Sequence, residues 1–403
     1  MVGVSAALHL QSRGRAVVLV DRRPAAEETS FGNSGLIQCE GIVPYAFPRQ
    51  LGKIIKYALN GSPEANLHWR AVPWLAPFLY KYWQNGTADR IAATARAAKP
   101  LVEGSLAEHE ALMGEAGIAA MMRRTGYLKV YRSPDRYAAE LINDEAARTR
   151  WGVRSQTRTE AEIRALEPHL TGPLAGGILM PEPVSVADPG AVGKAYAELF
   201  VERGGSFVTA DARTLQATGG GWQVSRVEGP LTAAEVVVAL GPWSADVLAG
   251  VGVTIPMGVK RGYHMHYRVL GNAALNRPVI DGDNGYVMTA MTRGIRLTTG
   301  AEFALRNAAP TPVQLGRVEP LARALFPLGD RVDAQPWLGA RPCLPDMLPM
   351  IGPVPGKRGL WLDCGHHHLG FTLGPVTGRL LAEMMTGAAP FTDPAPYRVG
   401  RFE

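Results

Sequence analysis

Short apolar runs alternate with amphipathic helical stretches along most of this 403-residue chain. The first helix is predicted over 1–8 from its small apolar residues, and Gly14 stops it. A β-branched run over 16–20 follows and ends on Asp21. A helix, a strand and a terminal carboxylate in this order are typical of a nucleotide-binding βαβ unit. The pattern therefore predicts such a unit at the start of the chain.

The same alternation continues to the other end of the chain. Further helices are predicted over 46–118, 135–150, 159–168, 188–204, 312–326 and 375–385, the third of them opened by a capping box. Further strands are predicted over 126–131, 206–209, 235–241, 262–267, 285–289, 295–299 and 360–364, and 365–374 is predicted to be a glycine-punctuated turn. We therefore predict an α/β (α+β) fold, in which a Rossmann-like nucleotide-binding domain is built from discontinuous segments and a mixed-sheet domain is inserted between them.

The segment 69–83 is unusually dense in aromatic residues. Such a stripe at helical spacing is more often the core side of a helix than a surface. A face that docks on a membrane is the alternative interpretation.

Composition narrows the class of protein. Hydrophobic residues make up 46% of the chain and charged residues 19%, which is typical of a globular protein. No run of 18 apolar residues predicts a membrane span. The three cysteines Cys39, Cys343 and Cys364 are far apart, which favours a reducing cytoplasm over a disulfide framework.

The formal net charge of +6 is not concentrated in a basic block interleaved with aromatics, so we expect no nucleic-acid partner. A modest positive field suits an anionic cofactor, a carboxylate substrate or an anionic membrane surface.

Gly3 and Asp21 carry the nucleotide-binding interpretation. Gly3 fits the third glycine of a G-x-G-x-x-G fingerprint, and Asp21 lies eighteen residues beyond it, close to the spacing of about 20 for a ribose-binding carboxylate. An acidic residue there favours an unphosphorylated ribose, as in FAD or NAD. The first strand and two glycines would then precede Met1, so the chain as printed is expected to bind a dinucleotide weakly. A generic αβ pair is the alternative.

The loop after this strand has hydroxyl and amide side chains at Thr29, Ser30 and Asn33, followed by Gly35. These groups suit contact with a phosphate, and they equally suit a turn that bonds to itself.

Five segments together resemble the D-amino-acid oxidase superfamily of FAD-dependent oxidoreductases, with the bacterial D-amino-acid dehydrogenases as the nearest branch. Three of them are 2–21, 28–35 and 238–244. The most specific are 337–353, with the pattern G-x-R-P-x-x-P-D-x-x-P-x-I-G, and 360–374, with G-H-x-x-x-G-x-T. The resemblance extends over essentially the whole chain.

The resemblance implies a division into two domains. The FAD-binding domain would comprise 1–85, 155–255 and 336–403, and the substrate-binding domain would comprise 86–154 and 256–335.

It also implies residue roles. Arg341 would bind the substrate carboxylate with Tyr286 beside it, because a planar guanidinium and a phenol together offer three donors. His366 would lie at the flavin ring. The implied cofactor-binding residues are Gly3, Asp21, Arg22, Thr29, Ser30, Asn33, Gly35, Leu36, Ala212, Gly241, Gly365, Gly370, Phe371 and Thr372.

The activity implied is FAD-dependent oxidative deamination of an amino acid, of the D-amino-acid or D-proline and hydroxyproline type. Hydride transfer to the flavin would give an imino acid and then a 2-oxo acid. A sarcosine- or glycine-type amine oxidase that uses oxygen is the alternative within the enzyme class. Two interpretations other than a flavin enzyme also remain open. One is a flavin-free binding subunit. The other is a metal site built from His366–His368, with His264 and His266 as further ligands.

The electron acceptor, a quinone or an electron-transfer partner, is left open by the sequence. We expect a cytoplasmic protein, and the basic surface with segment 69–83 leaves peripheral contact with the inner membrane as an open interpretation.

Overall fold

A computed structural model describes residues 1–402, and its helices follow the predicted alternation. In chain order the α-helices are α1 (Val2–Gln11), α2 (Leu51–Ala58), α3 (Val72–Gln84), α4 (Ala88–Glu115), α5 (Pro134–Trp151), α6 (Glu160–Leu166), α7 (Pro189–Glu202), α8 (Ser244–Gly250), α9 (Val313–Leu325) and α10 (Gly370–Thr386). The predicted capping box is confirmed at α6, where the Thr159 hydroxyl accepts from the Glu162 amide and the Glu162 carboxylate accepts from the Thr159 amide.

The strands divide among five sheets. They are β1 (Val18–Asp21), β2 (Leu36–Ile37), β3 (Ala65–Leu67), β4 (Met122–Arg123), β5 (Tyr127–Tyr131), β6 (Gln156–Arg158), β7 (Gly176–Met180), β8 (Val184–Val186), β9 (Ser206–Thr209), β10 (Gln216–Thr218), β11 (Gly221–Val224), β12 (Leu231–Ala233), β13 (Val236–Val238), β14 (Gly258–Val269), β15 (Val279–Asp281), β16 (Tyr286–Met291), β17 (Gly294–Thr298), β18 (Ala301–Phe303), β19 (Leu328–Arg331), β20 (Trp337–Cys343), β21 (Met350–Pro353) and β22 (Leu360–Cys364).

The largest sheet is mixed, with eleven strands in the order β3-β18-β14-β17-β16-β15-β5-β7-β6 and with β19 and β20 also paired to β14. Strand β14 is central because its 12 residues are long enough to pair with four other strands. The antiparallel strands predicted within 256–300 are confirmed. Helix α9 contributes Leu315 and Val318 to the buried cluster that contains Met265 of β14.

Two smaller parallel pairs lie outside the large sheet. Strand β1 pairs with β9, and β13 pairs with β22, whose other edge holds β21. Within residues 1–402, β1 and β13 each pair along one edge only. Helix α1 packs against α10, and glycines permit the close approach: a Cβ on Gly378 would lie 2.7 Å from the backbone nitrogen of Ala6. The opposite ends of the described chain are therefore packed together.

Helix α10 begins earlier than predicted, at Gly370 and not at Pro375. Pro375 has no amide hydrogen and leaves the Phe371 carbonyl without its helical donor. His109 of α4 supplies one, since its Nε2 lies 2.9 Å from that oxygen. The segment 370–374, predicted as a turn, is therefore helical with its free carbonyl satisfied by a tertiary hydrogen bond.

Sheet membership also differs from the domain boundaries implied by the resemblance. Strands β6, β7 and β20 belong to the large sheet, although 155–255 and 336–403 were assigned to the FAD-binding domain. Helix α4 was assigned to the substrate-binding domain, yet it packs on α10. Local patterns identify the type of an element, whereas its neighbours depend on long-range pairing.

Helix α3 confirms the helix predicted within 69–83 but not its burial. Leu75, Phe78 and Tyr82 are buried, whereas Trp74 and Tyr80 are exposed by 67% and 60%. None of the helices within 1–402 combines the length and the apolarity needed to cross a bilayer.

Candidate active site

A cavity of about 2420 Å³ extends from β1 and β13 to the face of the β14–β20 pair. It exceeds the ~300–1,000 Å³ of an ordinary small-ligand pocket, so it has room for a dinucleotide together with a substrate. The predicted site residues that line it are Gly3, Asp21, Arg22, Thr29, Ser30, Asn33, Leu36, Ala212, Gly241, Arg341, His366, Gly370 and Phe371. Four others do not line it: Tyr286, Gly35, Gly365 and Thr372.

Asp21 lies at the carboxyl end of β1, where its carboxylate accepts from the Arg23 amide at 3.2 Å. Burial raises the pKa of this carboxyl. Arg22 turns away to an ion pair with Glu28 at 2.6 Å and lies over the Trp243 ring. Asp21 is thus the hydrogen-bond acceptor of this end of the cavity, suited to the hydroxyls of a ribose.

Two helix N-termini contribute to the cavity wall, those of α1 at Val2–Val4 and of α10 at Gly370 and Phe371. Amides in a first helical turn have no acceptor within the helix, and the helix dipole favours anions there. A Cβ on Gly3 would be in ordinary contact with Ala239 and Leu19, both at 3.7 Å, so the close approach expected of a third glycine is not required at Gly3.

The loop 29–35 is bonded within the fold and also lines the cavity, so its contact with a phosphate stays a prediction. The Thr29 hydroxyl donates to the Ala340 carbonyl at 3.1 Å, and the Asn33 side chain accepts from the Gly35 amide at 2.8 Å. Gly35 has φ +77°, and a Cβ there would lie 2.3 Å from the Val186 oxygen, so its role is in the turn. Ser30 lines the cavity beside it.

Gly365 and Thr372 hold the second helix N-terminus in place. Gly365 has φ +83°, and a Cβ there would lie 2.4 Å from Leu344. The Thr372 hydroxyl donates to the Leu36 carbonyl at 3.2 Å. Both residues shape the wall of the cavity without lining it.

Arg341 lies at the far end of the cavity, on β20. Its guanidinium extends over Gly262, where a Cβ would lie 2.4 Å from Nη2, and it donates to the carbonyls of Gly300 at 2.9 Å and Thr299 at 3.3 Å. Within residues 1–402 no carboxylate forms an ion pair with it. Burial lowers its pKa. A desolvated cation that faces a cavity without a counter-ion is suited to bind an anionic group there.

Tyr286 does not share this position, and the expectation that it contacts the substrate beside Arg341 is not supported. Its side chain is fully buried in the core of the large sheet. The phenol accepts from Arg132 at 3.1 Å, and Arg132 in turn pairs with Asp281 at 2.6 Å. Spacing along β16 places Tyr286 on the core face, which local sequence did not reveal.

His366 lines the cavity, but its ring is bonded within the fold. Its Nε2 lies 3.1 Å from the Thr377 hydroxyl and 3.2 Å from the Asp363 carboxylate. The role at the flavin ring therefore remains a hypothesis, and the geometry favours a positioning role.

The neighbouring histidines diverge from His366. His367 has φ +56°, and its Nε2 accepts from the Leu344 amide at 3.2 Å. The His368 ring lies 5.2 Å from the Tyr45 ring and lines the cavity. Within 1–402 no three potential ligands are arranged to hold a metal ion.

Sequence reasoning missed Lys260, Trp337 and His368 as cavity residues. Trp337 stacks on His264 with 4.8 Å between ring centroids and covers Gly339. Lys260 lies directly opposite Arg341 in the β14–β20 register. No local pattern indicates that juxtaposition, because it depends on the pairing of strands more than sixty residues apart.

These residues fit an extended FAD. Asp21 and the two helix N-termini would hold the ribose and diphosphate, leaving the Arg341 end of the cavity for a substrate. The backbone amides donate to phosphate oxygens and the Asp21 carboxylate accepts from ribose hydroxyls, as a dinucleotide requires.

Comparisons with known proteins agree with the interpretation of this cavity as an FAD site. Residues 1–384 match the DAO family, described as FAD dependent oxidoreductase. A D-amino acid dehydrogenase of Paramagnetospirillum magneticum is 32% identical, with 96% of this chain and 93% of the relative covered. A D-amino-acid oxidase of Bradyrhizobium diazoefficiens is 29% identical over 100% of this chain and 96% of its own length.

The fold is similar to that of glycine oxidase from Geobacillus kaustophilus, with a TM-score of 0.74 at 22% identity, covering 99% of this chain and 96% of that one. The resemblance inferred from the sequence is confirmed, and so is the expected cofactor class. This chain belongs to the DAO family of FAD-dependent oxidoreductases.

Proposed function

We propose that this protein oxidises an amino acid at the carbon that bears the amine, with FAD as the oxidant. The observation that carries the proposal is Arg341, a desolvated cation without a carboxylate partner that faces the same cavity as Asp21 and the two helix N-termini. A substrate carboxylate would complete its hydrogen bonds.

Arg341 would orient the substrate, and Trp337 and His368 would exclude water from one side of it. Bound FAD supplies the two-electron acceptor for the hydride of the α-carbon. The amine loses a proton, and the resulting imine is hydrolysed by water to a 2-oxo acid and ammonia; a secondary amine such as hydroxyproline gives a cyclic imine. Orientation supplies most of the acceleration, so the chain needs no strong general base beside the α-carbon.

The names of the relatives support this choice of substrate, since they include D-amino-acid oxidase and D-amino acid dehydrogenase. The similarity to glycine oxidase keeps a sarcosine- or glycine-type amine oxidase as the second candidate.

The direct test is to mix the purified protein, without oxygen, with a panel of D- and L-amino acids, hydroxyproline, glycine and sarcosine, and to follow the flavin absorbance. Bleaching by amino acids supports the proposal. Bleaching by none of them contradicts it, and a protein without flavin absorbance would instead support a binding subunit. Peroxide release against dye reduction then separates an oxidase from a dehydrogenase.

Replacing the guanidinium tests the residue that carries the proposal. We expect Arg341→Ala to raise the apparent KM about 100-fold, because roughly 3 kcal/mol of charge-assisted bonding is lost, while flavin stays bound. Arg341→Lys keeps the charge but loses the planar pair of donors, so its apparent KM should lie between those of the unchanged protein and Arg341→Ala. Unchanged kinetics in Arg341→Ala would remove Arg341 from the site.

We further propose peripheral contact with an anionic membrane through α2 and α3. Leu51, Ile55 and Leu59 recur at helical spacing and are exposed, and Lys53 and Lys56 lie among them. Trp74 of α3 is also exposed. An exposed apolar face on a helix that also carries lysines suits anionic lipid.

Flotation with vesicles of anionic or of neutral lipid tests this contact. We expect binding to anionic vesicles that weakens in high salt and in Trp74→Ser. Equal recovery in the unbound fraction with both lipids at low salt would contradict it.

A further inference from the structure

The cavity contains a second cation besides Arg341. Lys260 of β14 lies directly opposite Arg341 of β20 in the antiparallel register, so both side chains are on the cavity face of the large sheet. The Lys260 ammonium donates to the Tyr82 hydroxyl at 2.8 Å and lies over the Tyr82 ring at 3.9 Å.

Most other half-buried cations along the cavity have a carboxylate partner. Lys129 pairs with Glu140, and Arg136 pairs with Glu64. Lys53 and Lys56 have none but are exposed to solvent. Among residues 1–402, Lys260 and Arg341 are two adjacent, half-buried cavity cations without a carboxylate partner.

The groups around this pair do not supply negative charge. Burial, together with the charges of Arg341 and Lys260, lowers the pKa of His368 to about 3, so its ring is neutral. Burial raises the pKa of the Cys343 thiol, which remains protonated. Two positive charges are therefore left in a poorly hydrated site, an arrangement that costs free energy until an anion enters.

We propose that the substrate carries two anionic groups, and that this site takes an amino acid with an acidic side chain. The α-carboxylate would occupy the Arg341 fork, and the second carboxylate would lie against Lys260. A substrate with one carboxylate neutralises only one of the two cations. This inference rests on the proposed amino-acid oxidation.

The geometry supports this division of roles. Glycine at position 262 leaves room for the guanidinium over β14, where Arg341 lines the cavity. The Lys260 ammonium has three donors, of which Tyr82 accepts one. A compact point charge accepts a carboxylate in several orientations, which suits side chains of more than one length.

The holoenzyme can be tested with pairs of substrates that differ only in charge. We expect aspartate and glutamate to exceed asparagine and glutamine in kcat/KM by about 10- to 100-fold, as one charge-assisted hydrogen bond implies. Lys260→Met should bring the ratio of acid to amide kcat/KM close to one, and Lys260→Arg should restore part of the preference. Lys357→Met, at a partly exposed lysine outside the cavity lining, serves as the matched control.

Calorimetry with malonate and succinate against acetate and propionate provides a second readout that needs no turnover. Tighter binding of the dicarboxylates, lost in Lys260→Met, supports the inference. Equal affinity for both classes, or an equal loss for acidic and amide substrates in Lys260→Met, would overturn it. If dicarboxylates bind but no amino acid bleaches the flavin, the two-anion site stands and the proposed oxidation fails.

Discussion

At the Asp21 end of the cavity the wall includes two helix N-termini and the carboxylate that ends β1, whereas at the Arg341 end it includes two cationic side chains on a sheet face, without a carboxylate partner within residues 1–402. The first end comes from segments that carry recognisable local patterns. The second depends on the register between β14 and β20.

Under the proposed function, the two ends would recognise their ligands in different ways. Backbone amides bind any suitably placed phosphate, so the cofactor end is specified by chain geometry and close packing. Side-chain charge selects among substrates, so the substrate end changes with single residues. Changes at the first end should therefore alter flavin content and stability, and changes at the second should alter KM alone.

The largest expected effect is on the pH dependence of stability at the cofactor end. Burial lowers the pKa of His109 to about 4, and its Nε2 donates to Phe371 beneath the α10 N-terminus. Between pH 6.5 and 4 the unfolded chain binds more protons than the folded one, so stability rises with pH across this window and is lost on acidification, by up to about 3 kcal/mol.

Urea unfolding of His109→Gln at several pH values checks this. The glutamine keeps a donor for the Phe371 carbonyl but does not titrate, so it should remove the contribution of His109 to the slope of stability against pH. The same change at half-exposed His169 should not remove that contribution. An unchanged slope in His109→Gln would contradict the assignment.

Gly378→Val addresses the contact between the chain ends. Its side chain would collide with the backbone of α1 near Ala6, so we expect a loss of about 1–3 kcal/mol and a lower flavin content. Thermal unfolding and the flavin-to-protein absorbance ratio measure both. Gly316→Val in α9, which has open space around it, is the matched control. Full flavin content in Gly378→Val would contradict the expectation that changes at the Asp21 end of the cavity alter flavin content.

The smallest expected effect is that of Gly262→Ala, at the Arg341 end of the cavity. The added methyl would meet only the tip of Arg341, which moves more easily than backbone, so we expect KM to rise about 10-fold with stability and flavin content preserved. In an Arg341→Ala background the same change should have little further effect. A similar loss in both backgrounds would show that Gly262 acts independently of the guanidinium.

The parts of the molecule that the sequence predicts are those set by local patterns, and the parts that it misses depend on long-range contacts. The helix and strand at 2–21, the capping box at Thr159 and the helix at 313–325 depend on neighbours within a few residues, and the sequence predicted them. The start of α10 at Gly370 was missed because Pro375 is typical of a helix start, and the donor that satisfies the Phe371 carbonyl comes from His109, far away in the chain. The position of Tyr286 was missed because a strand tyrosine fits either face of a sheet.

The sequence by itself determined the alternation of elements, the acid that ends β1 and the arginine within its specific C-terminal pattern, because these are encoded in short spacings and residue types. Only the tertiary structure decided that α1 packs on α10, that Tyr286 turns into the core and that Lys260 lies opposite Arg341. Strand register and helix packing are long-range properties, since they minimise the free energy of the whole chain and not of any one segment.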